Sequence, residues 1–341
     1  MTDRSHILII AEVGSVHDGS LGNALKLVDV AAAAGADAVK FQTHIPEAET
    51  LADAMSPSYF TAEPRFAYFK RTGFSLEQWR QIEGRCRERG IEFMSSPFSE
   101  EAVDLLEAVG MARYKIPSGE VTNLPLLEKI ARLGKPVLLS SGMSSWAELD
   151  AAVDTVRRFD APLSVLQCTS EYPCPPERVG LNVMVEMQAR YGVPVGLSDH
   201  TLTPSASLAA ATLGASVIER HLTFSRAMYG SDAPHSLEPS ELAALVRALR
   251  EVQVMRTARV EKDDISRLED MKRVFQKSIV TVRNIAKGDV ITREALGFRK
   301  PGTGLAPARL AEVVGRRAGR ELPAGTMLCR ADVADGELGA Q

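Results

Sequence analysis

The sequence predicts an α/β fold in which a (β/α)8 barrel is followed by a small, loop-rich β domain. Between residue 7 and about residue 255, eight short apolar runs alternate with longer stretches rich in alanine and leucine. Eight strand–helix repeats over about 250 residues match the number and size of a (β/α)8 barrel. The alternative is a doubly wound open sheet, which usually has fewer strands and a glycine-rich dinucleotide turn after the first strand. The sequence lacks that turn, so we favour the barrel.

The predicted strands are short and rich in aliphatic and β-branched residues. In chain order they are Ile7–Ala11, Ala38–Gln42, Glu92–Ser95, Arg113–Ile116, Pro136–Ser140, Leu163–Cys168, Pro194–Leu197 and Ser216–Glu219. The predicted helices include Leu21–Ala34, Leu76–Arg89, Glu100–Val109, Leu124–Leu133, Trp146–Arg158 and Pro239–Val252. Two helix starts carry capping signals: Ser75 and Gln78 fit a capping box, and Ser99 precedes two glutamates at the positive end of a helix.

The pattern changes after residue 255. Residues 256–276 are strongly charged, which predicts a linker or an exposed helix. From residue 277 onward, short β-branched runs are punctuated by glycine and proline, as in a small domain with a thin core. We therefore expect a catalytic barrel over residues 1–255, a linker over 256–276 and a second domain over 277–341.

Composition excludes several classes of protein. A net charge of −4 argues against a general nucleic-acid binder, which needs a basic surface. No stretch resembles a signal peptide or approaches the ~20 apolar residues of a membrane span, so we expect a cytoplasmic protein without a membrane partner. The cysteines lack the close-paired spacing of a zinc site and are expected to be reduced thiols. They are Cys86, Cys168, Cys174 and Cys329.

Two neighbouring predicted strands each lead into a histidine, His200 after the seventh and His221 after the eighth. The carboxyl ends of barrel strands face the ligand site, so two imidazoles from adjacent strands can converge on one divalent metal ion. A single histidine at such a position more often satisfies a local hydrogen bond. For the pair, we favour metal binding.

Polar side chains also follow the other predicted strands, and a barrel would gather them at one mouth. Lysines supply positive charge, and hydroxyls supply short hydrogen bonds, so together they suit a ligand with phosphate and carboxylate groups. These candidates are Lys40, Ser96, Lys115, Ser118, Ser140 and Ser198. Gln42, Glu120, Ser170 and Tyr172 lie at the same strand ends.

Glu12 opens a polar loop directly after the apolar first strand. A carboxylate there can exchange protons with a bound substrate, or it can pair with a neighbouring lysine, and both roles stay open. His17 and His44, in early loops, are secondary candidates. His235 lies in a polar loop and has no comparable support.

These motifs resemble those of the sialic acid synthases over nearly the whole chain and in the same order. The matching segments are 9–14, 36–42, 114–120, 139–143, 167–173, 196–201, 219–221 and 236–239. The C-terminal segment resembles the antifreeze-like (SAF) domain that these synthases carry.

The resemblance implies condensation of phosphoenolpyruvate with an N-acetylhexosamine, typically N-acetylmannosamine, to give a nine-carbon 2-keto acid and phosphate. It implies a divalent metal held by His200 and His221, usually Mn²⁺, with Mg²⁺ or Co²⁺ as alternatives. Glu12 corresponds to a candidate proton-transfer carboxylate. In the family the SAF domain reaches over the partner's barrel, so a domain-swapped homodimer is implied.

Individual positions carry over in two groups. Those matching phosphoenolpyruvate contacts are Lys40, Ser96, Lys115, Ser118, Ser140 and Ser198, and those matching sugar contacts are Gln42, Glu120, Tyr172 and Asp232. Two positions depart from the family pattern. Lys300 stands before Pro301 where an arginine is usual, with Arg299 one residue earlier, and Ser170 stands where asparagine is frequent. A lysine does not reproduce the fork of a guanidinium group, so these departures bear on the identity of the sugar.

Three other functions compete with this interpretation. Related synthases accept 2,4-diacetamido-6-deoxy sugars and make legionaminic or pseudaminic acid. A non-catalytic carbohydrate-binding barrel is disfavoured because Glu12, both histidines and the lysine and serine residues are all present. A metal-dependent hydrolase is weaker because no clear carboxylate accompanies the two histidines as a third ligand.

Overall fold

The computed structural model describes residues 6–55 and 63–334. The chain divides into two compact units, Met1–Ala258 and Arg259–Gln341, each with a hydrophobic core of its own. Within the described residues, all four cysteines are free thiols. None of the described helices is long and apolar enough to cross a membrane.

The first unit is a closed barrel of parallel strands, as the sequence predicts. Over the described residues the strands follow chain order, β1 to β8, and β8 closes the barrel by pairing with β1. Their bounds are β1 Leu8–Gly14, β2 Ala38–Thr43, β3 Glu92–Pro97, β4 Tyr114–Ile116, β5 Val137–Ser140, β6 Leu163–Cys168, β7 Val195–Asp199 and β8 Val217–His221. The predicted fold class is therefore confirmed.

Helices surround the strands, and the six with bounds predicted above begin at the predicted residue and, α10 excepted, end within one residue of the predicted bound. Those of the first unit are α1 Leu21–Ala33, α2 Pro46–Glu49, α3 Arg65–Thr72, α4 Leu76–Arg89, α5 Glu100–Val109, α6 Leu124–Arg132, α7 Trp146–Arg157, α8 Leu181–Tyr191, α9 Ser205–Thr212 and α10 Pro239–Thr257. The capping box of Ser75 and Gln78 is present. Ser99 caps α5 by accepting a hydrogen bond from the Ala102 amide. The longest difference is at α10, which continues five residues beyond Val252.

The barrel strands alternate between two apolar environments because successive side chains of a strand point to opposite faces. Ile9, Ala11 and Val39, for example, belong to the large core shared with the helices. The intervening residues form a separate buried cluster inside the barrel, which we call the barrel floor. Its members are Ile10, Ala38, Met94, Leu138, Leu166 and Val217.

The second unit is small and built from two short antiparallel pairs. Strands β9 Ser278–Thr281 and β10 Leu296–Arg299 form one pair, and β11 Arg317–Ala318 and β12 Val333–Ala334 form the other. Helices α11 Glu269–Phe275 and α12 Leu310–Val313 accompany them. Part of the segment expected as a linker or exposed helix is thus helical.

Candidate active site

The candidate site lies two residues further along the strands than the barrel floor, toward their carboxyl ends. Moving two residues along a strand returns to the same face, so each floor residue is followed by an inward residue nearer the mouth. In this way Ile10 leads to Glu12, and Val217 leads to Glu219. The full set of these residues is Glu12, Lys40, Ser96, Ser140, Cys168 and Glu219, and all six are buried. Together with Lys115 and Ser198, which contact Glu219, we call them the polar ring.

Charges alternate around one side of the polar ring. Lys40 Nζ lies 2.8 Å from Glu12 Oε2 and 3.8 Å from Glu219 Oε2. Lys115 Nζ donates to Glu219 Oε1 at 3.1 Å. Burial opposes the charge of Lys40, but the carboxylates of Glu12 and Glu219 raise its pKa above the ordinary value. Burial likewise opposes ionisation of Glu219, and the two lysines hold its pKa below the ordinary value. The site therefore pairs two buried lysines with two buried glutamates.

Hydroxyl groups complete this side of the mouth. Ser96 accepts a hydrogen bond from Lys40 at 3.2 Å, and Ser198 donates to Glu219 at 2.9 Å. Among the described residues, the buried hydroxyl of Ser140 has no hydrogen-bond partner. A buried hydroxyl without a partner is costly unless a ligand or water satisfies it.

Gly142, just after β5, leaves room for a small cradle. Its amide donates to Ser118 Oγ at 3.0 Å. A Cβ atom at this glycine would lie 2.4 Å from Ser170 Oγ, 2.5 Å from Ser118 Oγ and 2.9 Å from Cys168 Sγ. The three side chains therefore meet above a position that only glycine can occupy, and the two hydroxyls can donate to an anionic group.

The two predicted histidines meet at the mouth, with ring centres 5.5 Å apart. His200 Nδ1 bonds the Thr169 carbonyl at 2.8 Å, which places the proton on that nitrogen and leaves Nε2 as an electron-pair donor. Burial, followed by the influence of His221, lowers the pKa of His200 to about 4. His200 is therefore neutral at physiological pH, and neutral imidazole is the form that binds a metal.

His221 contributes a second nitrogen donor. Its Nδ1 is buried and has no hydrogen-bond partner among the described residues. An unsatisfied buried imidazole nitrogen beside a second neutral imidazole fits a first-row divalent metal ion. No cluster of three or more His, Cys, Asp or Glu side chains able to hold a metal occurs in residues 6–55 and 63–334.

A buried arginine fixes the loop that carries His200. Arg220, 1% exposed, bonds Asp199 Oδ2 at 2.6 Å and the carbonyls of Thr201 and Thr203 at 2.6 and 2.9 Å. Ser207, in α9, also donates to Asp199. Because Arg220 immediately precedes His221, one side chain couples the ends of β7 and β8, which carry the two imidazoles.

The residues matched to sugar contacts lie beside the polar ring. Gln42 Nε2 donates to Glu12 Oε1 at 2.9 Å. Asp232 accepts a bond from the Ser15 amide at 3.3 Å. Gly14 has φ +54°, and a Cβ there would lie 2.4 Å from Asp232 Oδ2 and 3.3 Å from Gln42 Nε2. Glycine thus allows the backbone to pass closely beneath both side chains.

Tyr172 and Glu120 border the same region. The ring centre of Tyr172 lies 4.3 Å from that of His200 and 6.1 Å from that of His221. Glu120 lies in the single turn after β4, where it accepts a bond from Asn123 at 2.8 Å. Burial is the main cause that raises the pKa of Glu120 above its ordinary value.

Arg299 and Lys300 belong to the second unit. Arg299 is the last residue of β10, and Lys300 Nζ lies 4.8 Å from the centre of the Phe275 ring. A cation over an aromatic face at this distance is an attractive contact.

Three residues of the site escaped prediction from the sequence. Glu219 was noted only as part of a motif, although it stands two residues before His221 and so shares its face of β8. Arg220 and Asp199 were likewise covered only by the matching segments 219–221 and 196–201, because their roles depend on a contact between two strands. Of the secondary candidates, His44 contacts Gln42, whereas His17 accepts a bond from the Gly19 amide. The ring centre of His235 lies 6.2 Å from that of Tyr172.

Fold and site together define a (β/α)8-barrel enzyme with a small β domain attached. The sequence profile of the NeuB family matches residues 27–261, and that of the SAF domain matches residues 276–334. The chain belongs to the NeuB family, which confirms the resemblance to sialic acid synthases.

Several relatives align over most of the chain. An N,N'-diacetyllegionaminic acid synthase from Campylobacter jejuni is 36% identical, covering 91% of this chain and 95% of that protein. A pseudaminic acid synthase from Helicobacter pylori is 32% identical, with 95% and 97% covered. The human N-acetylneuraminate-9-phosphate synthase is 38% identical, but 72% of this chain and 70% of that protein are covered.

A solved structure supports the same relationship. The crystal structure of N-acetylneuraminic acid synthetase from Leptospira borgpetersenii, in complex with citrate, superposes with a TM-score of 0.70 at 30% identity. The alignment covers 79% of this chain and 91% of that chain.

Proposed function

We propose that this protein condenses phosphoenolpyruvate with a 2,4-diacetamido-6-deoxy hexose to give a legionaminic-acid-type 2-keto acid and phosphate. Relatives named for legionaminic and pseudaminic acids align over nine-tenths of the chain or more, whereas the human neuraminate-9-phosphate synthase aligns over 72%. The long alignments with the legionaminic and pseudaminic acid synthases favour this substrate over N-acetylmannosamine, which was the main expectation from the sequence. Among them the legionaminic acid synthase has the higher identity, 36% against 32%.

The observation that carries the proposal is the polar ring. Lys40 and Lys115 place two buried ammonium groups at the mouth, and Ser140 offers an unsatisfied hydroxyl. The cradle at Gly142 adds the hydroxyls of Ser118 and Ser170. Phosphoenolpyruvate carries a phosphate and a carboxylate, so its two anionic groups match these donors.

The chemistry needs a carbon nucleophile and a route for protons. The C3 carbon of phosphoenolpyruvate forms a bond to the sugar aldehyde carbon, and the aldehyde oxygen takes up a proton to become a hydroxyl. Water then adds to the electron-poor C2 and loses a proton, and the C2–O bond breaks to release phosphate. Glu12 is our candidate for proton transfer, since it contacts both Lys40 and the sugar-site residue Gln42.

His200 and His221 would hold the divalent metal, for which Mn²⁺ is our first candidate. Such an ion supplies Lewis-acid polarisation of the sugar carbonyl. Tyr172, packed against His200, and Arg220, which fixes the His200 loop, orient the two imidazoles. The domain-swapped homodimer implied by the resemblance stays a prediction, as does a contribution of Arg299 or Lys300 to sugar binding.

The test is phosphate release by the full chain with phosphoenolpyruvate and Mn²⁺, comparing a 2,4-diacetamido-6-deoxy hexose with N-acetylmannosamine. We expect turnover with the first sugar and at least tenfold lower kcat/KM with the second. Preference for N-acetylmannosamine would overturn the substrate proposal, and release with neither sugar would overturn the reaction. His221→Ala should abolish metal-dependent turnover, whereas His6→Ala, at an exposed histidine, should not.

A further inference from the structure

His44, immediately after β2, is enclosed by two phenylalanine rings, a carboxyl group and a side-chain amide. Its side chain is 4% exposed. The ring stacks between Phe69 and Phe98, with centre-to-centre distances of 3.6 and 4.1 Å. Nδ1 lies 2.8 Å from Glu49 Oε1, and Nε2 lies 3.1 Å from Gln42 Oε1. Both ring nitrogens therefore face oxygen atoms.

The orientation of the Gln42 amide determines whether His44 carries a proton on Nε2. Gln42 Nε2 donates to the Glu12 carboxylate, which accepts only, so the amide oxygen must be the atom that faces His44. An amide oxygen also accepts only, and His44 must therefore donate through Nε2–H. The two hydrogen bonds therefore run in one direction: His44 donates to Gln42, and Gln42 donates to Glu12.

Glu49 holds the other side of the His44 ring. Its side chain is 4% exposed, and its Oε2 has no hydrogen-bond partner among the described residues. A buried carboxyl group needs a hydrogen-bond partner. Glu49 Oε1 has that partner in His44 Nδ1 at 2.8 Å, and this contact holds the ring with Nε2 facing Gln42.

We propose that His44, paired with Glu49, is a positioning residue that fixes the Gln42 amide with its nitrogen toward Glu12 and the sugar site. The inference rests on the proposed function, since it takes Gln42 as a sugar contact. One N–H of the Gln42 amide is used by Glu12, and the other is left to donate to an acetamido or hydroxyl oxygen. A flipped amide would set its oxygen against Glu12 and remove both donors.

Two substitutions at one position separate hydrogen bonding from packing. His44→Gln can place an amide N–H near the Nε2 position but loses the stacked ring. His44→Phe keeps a ring between Phe69 and Phe98 but has no donor. We expect H44F to raise the KM for the sugar about tenfold, the effect of losing the hydrogen bond that orients Gln42, with H44Q closer to wild type. The KM for phosphoenolpyruvate should stay within about twofold in both.

The reverse order, with H44F near wild type and H44Q impaired, would assign His44 to packing alone and overturn the inference. H44F leaves the Glu49 carboxylate without a partner, so H44F/E49L, which removes both polar groups, serves if the single variant does not fold. The same rise in sugar KM is expected of the double variant.

Nitrogen-15 NMR of the histidine side chains gives a readout that needs no substrate. In the wild-type protein we expect His44 to carry a proton on Nε2, the nitrogen that faces the Gln42 oxygen. A ring protonated on Nδ1 alone would overturn the inference. Failure of wild-type turnover with every sugar would instead count against the proposed function and leave the NMR result to decide on His44.

Discussion

Glu219 sets the charge balance at the centre of the site. Its carboxylate contacts Lys115 and Ser198 directly and lies within 3.8 Å of Lys40. Two ammonium groups buried together would repel each other and favour loss of a proton. Together with Glu12, this carboxylate raises the pKa of Lys40 above its ordinary value, so Lys40 stays charged for an anionic substrate.

Gly142→Ala should weaken phosphoenolpyruvate binding without unfolding the protein. The new Cβ would enter the cradle at 2.4 Å from Ser170 Oγ and 2.5 Å from Ser118 Oγ. We expect the KM for phosphoenolpyruvate to rise about tenfold, as for loss of a good hydrogen-bonding geometry. The measurement is steady-state phosphate release. Gly84→Ala in α4, where alanine is favoured over glycine, is the control and should leave this KM unchanged. An equal KM in G142A would contradict the cradle.

His17 should make the protein less stable as the pH falls below about 6.5. Burial lowers its pKa to about 4, whereas the unfolded chain titrates near 6.5. Between these values the unfolded state binds more protons, so the free energy of unfolding falls with decreasing pH and levels off below about 4. At pH 5 the loss amounts to about 2 kcal/mol.

His17→Asn is the matched variant, because its side-chain oxygen can accept the bond from the Gly19 amide that Nδ1 accepts at 3.1 Å. Urea unfolding at pH 7 and pH 5 checks the prediction. The wild type should lose about 2 kcal/mol more than the variant on this acidification. Equal losses in both proteins would show that His17 does not titrate as described.

At the scale of the element, the contact between the ends of β7 and β8 should be essential to stability. Arg220→Met leaves Asp199 buried without its cation, which should lower the free energy of unfolding by about 3–5 kcal/mol. Both tryptophans, Trp79 and Trp146, lie in the barrel unit, so their fluorescence in urea follows that unit. Arg178→Met, at an exposed ion pair with Glu171, should cause little change. Similar unfolding midpoints for both variants would refute this role of Arg220.

These two strands also mark where sequence reasoning stopped short. The predicted strands ended at Leu197 and Glu219, where the apolar runs end, but β7 continues to Asp199 and β8 to His221. Hydrogen bonds between neighbouring strands and the buried ion pair of Asp199 with Arg220 keep these polar residues in the sheet. Such contacts are tertiary and leave no mark on local hydrophobicity.

The candidate site was predictable to the extent that it follows the strands. Polar residues at strand ends identified Lys40, Lys115 and the two histidines, because the barrel brings all strand ends to one mouth. Glu49 was not predictable in this way. It comes from the four-residue helix α2, which is too short for a periodic pattern, and it contacts His44.

At the scale of the whole molecule, the chain contains two separate cores. The polar ring and the barrel floor lie entirely in the first unit. We therefore expect residues 1–258 alone to fold and to bind phosphoenolpyruvate in calorimetry, while sugar turnover is impaired. Lys115→Met in the same fragment is the control that should lose binding. A folded fragment without affinity for phosphoenolpyruvate would contradict the placement of that site in the barrel.

The barrel floor has a consequence for how this sequence tolerates change. In each strand, alternate side chains face the helices and the barrel interior, so each of the two faces is set by every second residue. Deleting a single residue within β1 or β8 would exchange the residues on the two faces. It would turn Glu12 or Glu219 toward the apolar core shared with the helices and would also remove a carboxylate from the mouth. A substitution can therefore change either the site or the stability alone, but a one-residue deletion within a strand disrupts both together.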